Sequence, residues 1–209
     1  MPRQNQLAKM KRGAQAVVAV LAALIVYACE NPFQTRTPEP PTQSRGTFIT
    51  PLTPEAVITN LRNAVVEQNL VNYLRSLADP SRGGTFRFLA DPAVENSRPD
   101  LFANWGLEDE ERYFGHLSAS AVLPPDSTRV LIFTAQPPTT LGDSAIFIED
   151  YRLNVHHTDQ ANGTPVRYAG RARFILRRDN LGQWAIHRWS DFSTGSTPTW
   201  SALKASFGQ

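Results

Sequence analysis

The feature that most constrains the fold is a change in the spacing of apolar residues about halfway along the chain. In residues 53–77 and 108–118 they recur every three or four positions, which is typical of amphipathic helices. Beyond residue 129 they alternate with polar residues, as in strands with one buried face. Helices followed by a run of antiparallel strands predict an α+β fold, with the N-terminal helices packed on one face of the sheet.

Local signals place the helices. Thr53 precedes Pro54 and is suited to cap a first helix, and Asn69 is suited to cap a second, short helix that ends before Pro80. A third helix is predicted over residues 108–118, and residues 91–104 are predicted to form a connecting loop.

Strands are predicted around Phe86 and Phe88 and at residues 129–135, 145–157, 166–178 and 183–192. Because residues 178–182 form a tight turn, the last two strands are expected to form a hairpin. Trp184 and Trp189 are an odd number of positions apart, so they are predicted to face opposite sides of the sheet.

Residues 1–28 have the three parts of an export signal in the required order. A basic stretch over residues 3–12 is followed by an apolar run over residues 16–28. That run has about 13 residues, whereas a stable membrane-spanning helix needs roughly 17–25. The leader is therefore predicted to be a cleaved signal peptide, with an uncleaved signal anchor as the alternative.

The tetrapeptide Val26-Tyr27-Ala28-Cys29 resembles the bacterial lipobox. This resemblance implies that fatty acyl groups are attached to Cys29 and that the chain is cleaved just before it. Cys29 is the only cysteine, so it cannot form an intrachain disulfide. Residues 29–52 are predicted to be a lipidated, proline-rich tether, and the chain is expected to be held at a membrane of the bacterial cell envelope.

Charge excludes nucleic acid as an expected partner. The whole chain carries a formal charge of +2, but the leader holds four bases and no acids. Beyond residue 28 there are 17 basic and 19 acidic residues. A domain that binds phosphate backbones needs a surplus of Lys and Arg, and this domain has none.

The order of these segments resembles the nuclear-transport-factor-2-like superfamily, which includes polyketide-cyclase-like and ketosteroid-isomerase-like proteins. The likeness lies in the helix pair at 53–77, the strand at 86–88 and the closing strand at 182–189, within a domain predicted over 53–192. It implies a cone, in which a curved antiparallel sheet wraps a long helix and leaves a pocket. Residues 193–209 are predicted to be a tail, in which 199–205 resemble the short closing helix of such chains.

Ketosteroid-isomerase-like members use an acidic base beside acidic and phenolic groups in an apolar pocket. Candidate acids and phenols are present, but none can be aligned onto that arrangement, so no catalytic residue is assigned: Asp79, Asp91, Asp150, Asp191, Tyr73 and Tyr151. Asp79 is interpreted as a turn residue, and Asp191 as a solvated residue after the last strand.

No metal site or cofactor is predicted. His156 and His157 are adjacent on a predicted strand, so they point to opposite faces and cannot bind one ion together. His116 and His187 are distant in sequence. His157 is interpreted as a partly buried structural histidine.

Arginines at positions 167, 171, 173, 177 and 178 follow the third long strand. They are interpreted as solvating the outer sheet face, because Glu149, Asp150 and Asp179 lie nearby in the pattern. The alternative is a basic stripe that contacts anionic lipid headgroups or cell-wall polymers.

Six aromatic residues are predicted to line the pocket of the cone: Tyr73, Phe88, Trp105, Tyr151, Phe174 and Trp189. The leading hypothesis is a non-enzymatic envelope lipoprotein that binds a small molecule or a partner protein. One alternative is a cyclase- or isomerase-type enzyme with an acidic base in the pocket. The other is a homodimeric structural spacer, which needs a large apolar patch on the outer sheet face.

Overall fold

A computed structural model describes residues 46–124, 128–135 and 137–209 of the chain. The predicted signal peptide, the lipidation site at Cys29 and most of the predicted tether lie outside these residues. Within the described segments, no helix is both long enough and apolar enough to cross a membrane.

The α-helices are α1 (Pro54–Glu67), α2 (Leu70–Arg75), α3 (Pro92–Ser97), α4 (Pro99–Phe102), α5 (Leu107–Ser120) and α6 (Trp200–Phe207). The two predicted caps are confirmed. The Thr53 hydroxyl accepts a hydrogen bond from the backbone N–H of Ala56, and the Asn69 amide oxygen accepts one from Asn72 N–H.

The predicted loop at 91–104 is wrong, because it contains α3 and α4. The Asp91 carboxylate accepts a hydrogen bond from the N–H of Ala93, and Pro92 stands at the first position of α3. Pro99 begins α4 in the same way. These are the signals that identified α1, since a proline is favoured in the first turn of a helix.

The strands are β1 (Arg87–Leu89), β2 (Val130–Ala135), β3 (Thr139–Leu141), β4 (Ser144–Asn154), β5 (Arg167–Arg178) and β6 (Trp184–Phe192). Their order in the sheet is β1-β6-β5-β4-β2, and β3 pairs with β4 beside β2. The predicted β5–β6 hairpin is confirmed, whereas β3 was not predicted. The β1–β6 pair is parallel, so the sheet is mixed and open, and its strands and helices form an α+β cone.

One face of the sheet, the inner face, packs against the helices. It carries the odd-numbered residues of β4 from Ala145 to Leu153 and the even-numbered residues of β5 from Tyr168 to Leu176, which are buried or face the core. The intervening residues form the outer face. The core continues into α1, which contacts β2 and β6, and into α6, which contacts β5 and α5.

The predicted opposite placement of Trp184 and Trp189 is wrong. Ile175 pairs with Arg188 while Leu176 pairs with Ile186, so His187 is an extra residue in β6. This β-bulge resets the alternation by one position. Both tryptophans therefore lie on the inner face, and both are buried.

Residues at both ends of the described chain pack against this domain. The side-chain amide of Asn60 exchanges two hydrogen bonds with the backbone of Ile49, at 2.8 and 2.6 Å. The N–H of Trp184 donates to the carbonyl of Pro51 at 2.8 Å. Residues 46–52, which the sequence assigns to the tether, are thus tied to α1 and β6, and the tail contributes α6.

Gly170 on β5 tests this packing. An added Cβ would lie 2.6 Å from the carbonyl oxygen of Phe192 and 2.7 Å from the hydroxyl of Tyr151. We expect Gly170→Ala to lower the free energy of unfolding by about 1–3 kcal/mol, the usual cost of overpacking. Gly115→Ala is the control, because its Cβ meets nothing within 4 Å in the middle of α5. It should raise stability by about 0.5–1 kcal/mol. Thermal unfolding of both variants measures this, and equal effects would contradict the packing.

Candidate functional site in the interior of the cone

The C-terminal helix occupies the interior of the cone. Trp200, Leu203, Lys204 and Phe207 are spaced so that they fall on one face of α6, and all four are buried. The ring of Trp200 packs edge-on against Trp189, with the centroids 4.6 Å apart. Side chains of the protein itself therefore fill the space where the family resemblance implies a pocket.

A buried ion pair lies at the centre of this arrangement. The ammonium group of Lys204 contacts the carboxylate of Glu110 on α5, and both side chains are 0% exposed. The same carboxylate accepts hydrogen bonds from the hydroxyl of Tyr73 at 2.7 Å and from the indole N–H of Trp105 at 2.9 Å. Three donors thus compensate the desolvation of Glu110, which would otherwise cost several kcal/mol.

Aromatic rings surround the ammonium group on its other sides. Its nitrogen lies 4.2 Å from the ring centroid of Phe88, 4.3 Å from Trp189, 4.9 Å from Tyr113 and 5.6 Å from Trp105. These distances are within the range of cation–π attraction. Burial lowers the pKa of Lys204 to about 8, an effect that Glu110 partly offsets. At neutral pH the amine of Lys204 is therefore protonated and carries a positive charge.

A second polar network holds the start of α6. The Asp191 carboxylate accepts hydrogen bonds from the hydroxyl of Tyr151 at 2.8 Å and from the N–H and hydroxyl of Ser201 at 2.7 and 2.6 Å. The N–H of Trp200 donates to the Tyr151 oxygen at 2.6 Å. Burial raises the pKa of Asp191. An acid beside a phenol is thus present, but both groups are engaged by the backbone and side chains of α6.

All six predicted pocket residues lie in this interior. Phe88, Trp105 and Trp189 surround the Lys204 ammonium, while Phe174 packs against Trp189 at 5.1 Å between centroids. Tyr73 and Tyr151 donate to the two buried carboxylates. The structure brings the set together around α6, and a ligand-binding role for these residues stays a prediction.

The interpretation of Asp191 as solvated is wrong, because Asp191 lies within β6 on the inner face and is 0% exposed. The sequence analysis does not single out two further interior residues, Glu110 and Lys204. A usable signal was present, because Lys204 is the one charged residue on a helical stripe that otherwise contains Trp200, Leu203 and Phe207.

The turn interpretation of Asp79 is confirmed, since its carboxylate accepts a hydrogen bond from Ser81 N–H at 2.7 Å. His157 is fully buried, bonds the carbonyl of Pro165 at 2.9 Å and packs edge-on against Phe207. Its role is structural. Across the described ranges, no group of three or more potential ligands could hold a metal ion.

The acids expected to balance the outer arginines do so only in part. Asp150 pairs with Arg171 at 2.7 Å, but Glu149 points to the inner face and is buried, so the prediction is wrong for that residue. Each row of paired residues across the outer face contains at least one arginine: Arg87, Arg152, Arg167, Arg171, Arg173, Arg177 and Arg188. Asp150 is the one acid among the described strand residues in these rows.

Two clefts lie on this outer face. The first has a volume of about 410 Å³ and is lined by the apolar side chains of Val130, Ile132 and Ala169, with Arg152 and Arg167 beside them. The exposed apolar residues of the face alternate with arginines across the paired strands, as Ile132 does with Arg152 and Ile148 with Arg173. Ile146 and Ile175 nevertheless pair directly on this face beside Ile148, so the homodimeric spacer stays a prediction.

No protein-family model and no curated protein sequence matches the chain. A solved structure from Novosphingobium aromaticivorans, described as an aromatic ring hydroxylase, has a TM-score of 0.51 and 17% identity, covering 73% of this chain and 96% of that one. The structure described as a dehydratase of the nuclear-transport-factor-2-like family from Streptomyces avermitilis has a TM-score of 0.49 and 12% identity, and the match covers 68% of this chain and 94% of that one. The structure of a ketosteroid isomerase-like protein from Erwinia carotovora has a TM-score of 0.48 and 14% identity, with the same two coverages. At these identities the likeness concerns the fold alone.

The buried ion pair predicts a strong coupling between two substitutions. Lys204→Met removes the ammonium partner of the buried Glu110 carboxyl group, so we expect stability to fall by about 3–5 kcal/mol. Adding Glu110→Gln replaces that carboxyl group by an amide that cannot carry a charge, and the double variant should recover at least half of the loss. Thermal unfolding of the full-length chain in mild detergent measures both. A single Lys204→Met variant as stable as the wild type would contradict this prediction.

Glu149 predicts a pH-dependent gain in stability. Burial, and next the charge of Asp150, raise the pKa of its carboxyl from 4.5 to about 7. Between these values the folded state retains a proton that the unfolded state has released, so stability falls as the pH rises. Glu149→Gln should therefore stabilise the protein by about 1–3 kcal/mol at pH 8 and by almost nothing at pH 4.

The measurement is the free energy of unfolding of this variant and of the wild type from pH 4 to pH 8. Glu111→Gln is the control, because Glu111 is exposed on α5 and should produce no such pH-dependent gain. A gain for Glu149→Gln that is equal at both pH values would contradict the explanation.

Proposed function

This domain has the nuclear-transport-factor-2-like fold, and we propose that it is a binding module held at a membrane of the bacterial cell envelope by lipid on Cys29. The observation that carries the proposal is the filling of the cone by α6, with Lys204 paired to Glu110 at its centre. Because the interior is occupied, binding of a small molecule or partner protein is assigned to the outer face of the sheet.

The anchor is supported by the leader and by the lipobox at residues 26–29. Each buried CH₂ group of an acyl chain contributes about 0.8 kcal/mol, so several chains on one residue give lasting attachment. The predicted tether before residue 46 has about 17 residues. A flexible chain of that length has a root-mean-square span of roughly 23 Å, so the proposed anchor would hold the domain just off the bilayer.

The apolar cleft beside β2 is the proposed binding surface. Val130, Ile132 and Ala169 offer apolar contact, and the guanidinium groups of Arg152 and Arg167 lie beside them. A cleft of this size, about 410 Å³, is within the range of small-molecule sites. It favours an occupant with an apolar body and a negative charge.

The homodimeric spacer receives less support. A two-fold contact brings the same surface of both copies together. A two-fold dimer through the outer face would bring Arg173 and Arg177 of one copy close to the same residues of the other. Asp150 is the one acid in the described rows that could balance their charge. Like charges in contact are unfavourable, so such a dimer needs bridging anions.

A cyclase- or isomerase-type enzyme is the second candidate. The Tyr151–Asp191 pair, at 2.8 Å in a buried apolar setting, is the observation that favours it. A substrate can reach this pair only where α6 withdraws. Hydrogen exchange tests this requirement: amides of α6 that exchange far faster than those of β5 and β6 would support the enzyme, and equal protection would exclude it.

Cys29→Ser tests the anchor. The proposal predicts that the wild-type chain is recovered from membranes with an acylated N-terminal cysteine, and that the variant lacks both the acyl mass and stable attachment. Thr37→Ser, in the predicted tether, is the control and should leave both unchanged. An unmodified thiol in the wild type, or a Cys29→Ser variant that stays membrane-attached after cleavage of its leader, would contradict the anchor.

Ile132→Asn tests the binding surface. Ile132 is 51% exposed, so the change should weaken contact with an apolar occupant without disturbing the core. Native mass spectrometry of protein recovered from membranes should show a bound molecule that the variant retains at least about fivefold less. Leu141→Asn is the matched control on β3, at 82% exposure and outside the cleft lining. Empty wild-type protein with no bound partner, or equal losses in both variants, would count against the proposal.

A further inference from the structure

The second cleft on the outer face is basic and lies at the edge of the sheet formed by β1. It has a volume of about 470 Å³ and is lined by residues from β1, β5, β6 and the turn before β1: Gly83, Thr85, Arg87, Ile175, Arg177, His187 and Arg188. Three of these seven residues are arginines. It is separate from the apolar cleft, with which it shares no lining residue.

Strand pairing explains why the arginines converge. Arg87 and Arg188 are direct partners in the parallel β1–β6 pair, and Ile175 lies opposite Arg188 on the next strand. Arg177 is two positions beyond Ile175 and points to the same face. His187 is the extra residue of the bulge beside Arg188, and it also lines this cleft.

This concentration of charge is not neutralised by the protein. In the described part of the chain, no carboxylate lies within 4 Å of Arg87, Arg177 or Arg188. The nearby Asp179 is engaged elsewhere, since its carboxylate accepts hydrogen bonds from two backbone N–H groups and lies 3.5 Å from Arg82. Like charges placed directly opposite each other destabilise a sheet, so an external anion would relieve a local cost.

Some of these groups are also held in position. The guanidinium of Arg87 donates to the carbonyl of Ala103 and to the side-chain oxygen of Asn104, which fixes its orientation. The Nε2 atom of His187 is buried and has no hydrogen-bond partner among the described residues. Gly84 allows the turn to approach this ring, because a Cβ there would lie 3.0 Å from the imidazole.

We propose that this cleft binds the phosphate group of a phosphorylated ligand. Guanidinium groups form paired hydrogen bonds with phosphate oxygens. The three arginines of this cleft match a phosphate, which has two negative charges and several acceptor oxygens, better than they match a carboxylate. The phosphate comes either from a lipid headgroup or from a soluble phosphate ester. This site is independent of the apolar cleft and of the lipid on Cys29.

The site is tested by isothermal titration calorimetry, in which inorganic phosphate is titrated into the full-length chain in non-ionic detergent. We expect saturable binding that weakens at least about tenfold in Arg188→Gln and in Arg177→Gln, since each removes a charged hydrogen-bond donor. Arg173→Gln is the matched control. It lies on the same strand and face as Arg177, is also exposed, and lines neither cleft, so phosphate affinity should stay within about twofold of the wild type.

Two further titrants distinguish the sources of phosphate. Glycerol 3-phosphate carries the phosphate alone, and dihexanoyl phosphatidic acid, used below its micelle concentration, adds acyl chains. Tighter binding of the second identifies a lipid headgroup, and equal binding identifies a soluble ester. Absence of saturable phosphate binding would overturn the proposal, as would acetate binding equally well or Arg173→Gln losing as much affinity as Arg188→Gln.

Discussion

The Lys204–Glu110 pair is the interaction on which the interior of this protein depends. An isolated charge in an apolar core costs several kcal/mol, so neither residue is tolerated without the other. Tyr73 on α2, Trp105 before α5 and the rings of Phe88 and Trp189 complete the surroundings of the pair. A helix that begins only eight residues after β6 thereby becomes part of the core.

The fold suggests a cone with a pocket, but in this protein α6 fills the interior of the cone. The cone, its aromatic lining and its acid–phenol pairs are present, but α6 uses them for internal contacts. Chemistry depends on a site and not on a fold. The apolar and basic clefts lie on the outer face, where arginines accumulate although the domain as a whole carries slightly more acids than bases.

Features that depend on residues close together in the chain could be predicted from the sequence. Thr53 and Asn69 cap helices through contacts three residues away, and the alternation in β5 identifies its two faces. Features that depend on distant partners could not. The bulge at His187 exists only relative to β5, and Lys204 meets Glu110 across 94 residues of sequence. The α3–α4 segment was missed although Asp91-Pro92 carries the same capping signal as Thr53-Pro54.

Lysine chemistry offers the most direct test of the central claim that α6 is seated in the cone. Lys9 and Lys11 lie in the leader, so Lys204 is the only lysine beyond residue 28. The folded protein should be treated with an acylating reagent specific for amines, and the peptide containing Lys204 followed by mass spectrometry. Because Lys204 is buried, we expect it to remain unmodified until the protein is unfolded. Acylation of Lys204 in the folded protein at the rate of a solvent-exposed lysine would contradict it.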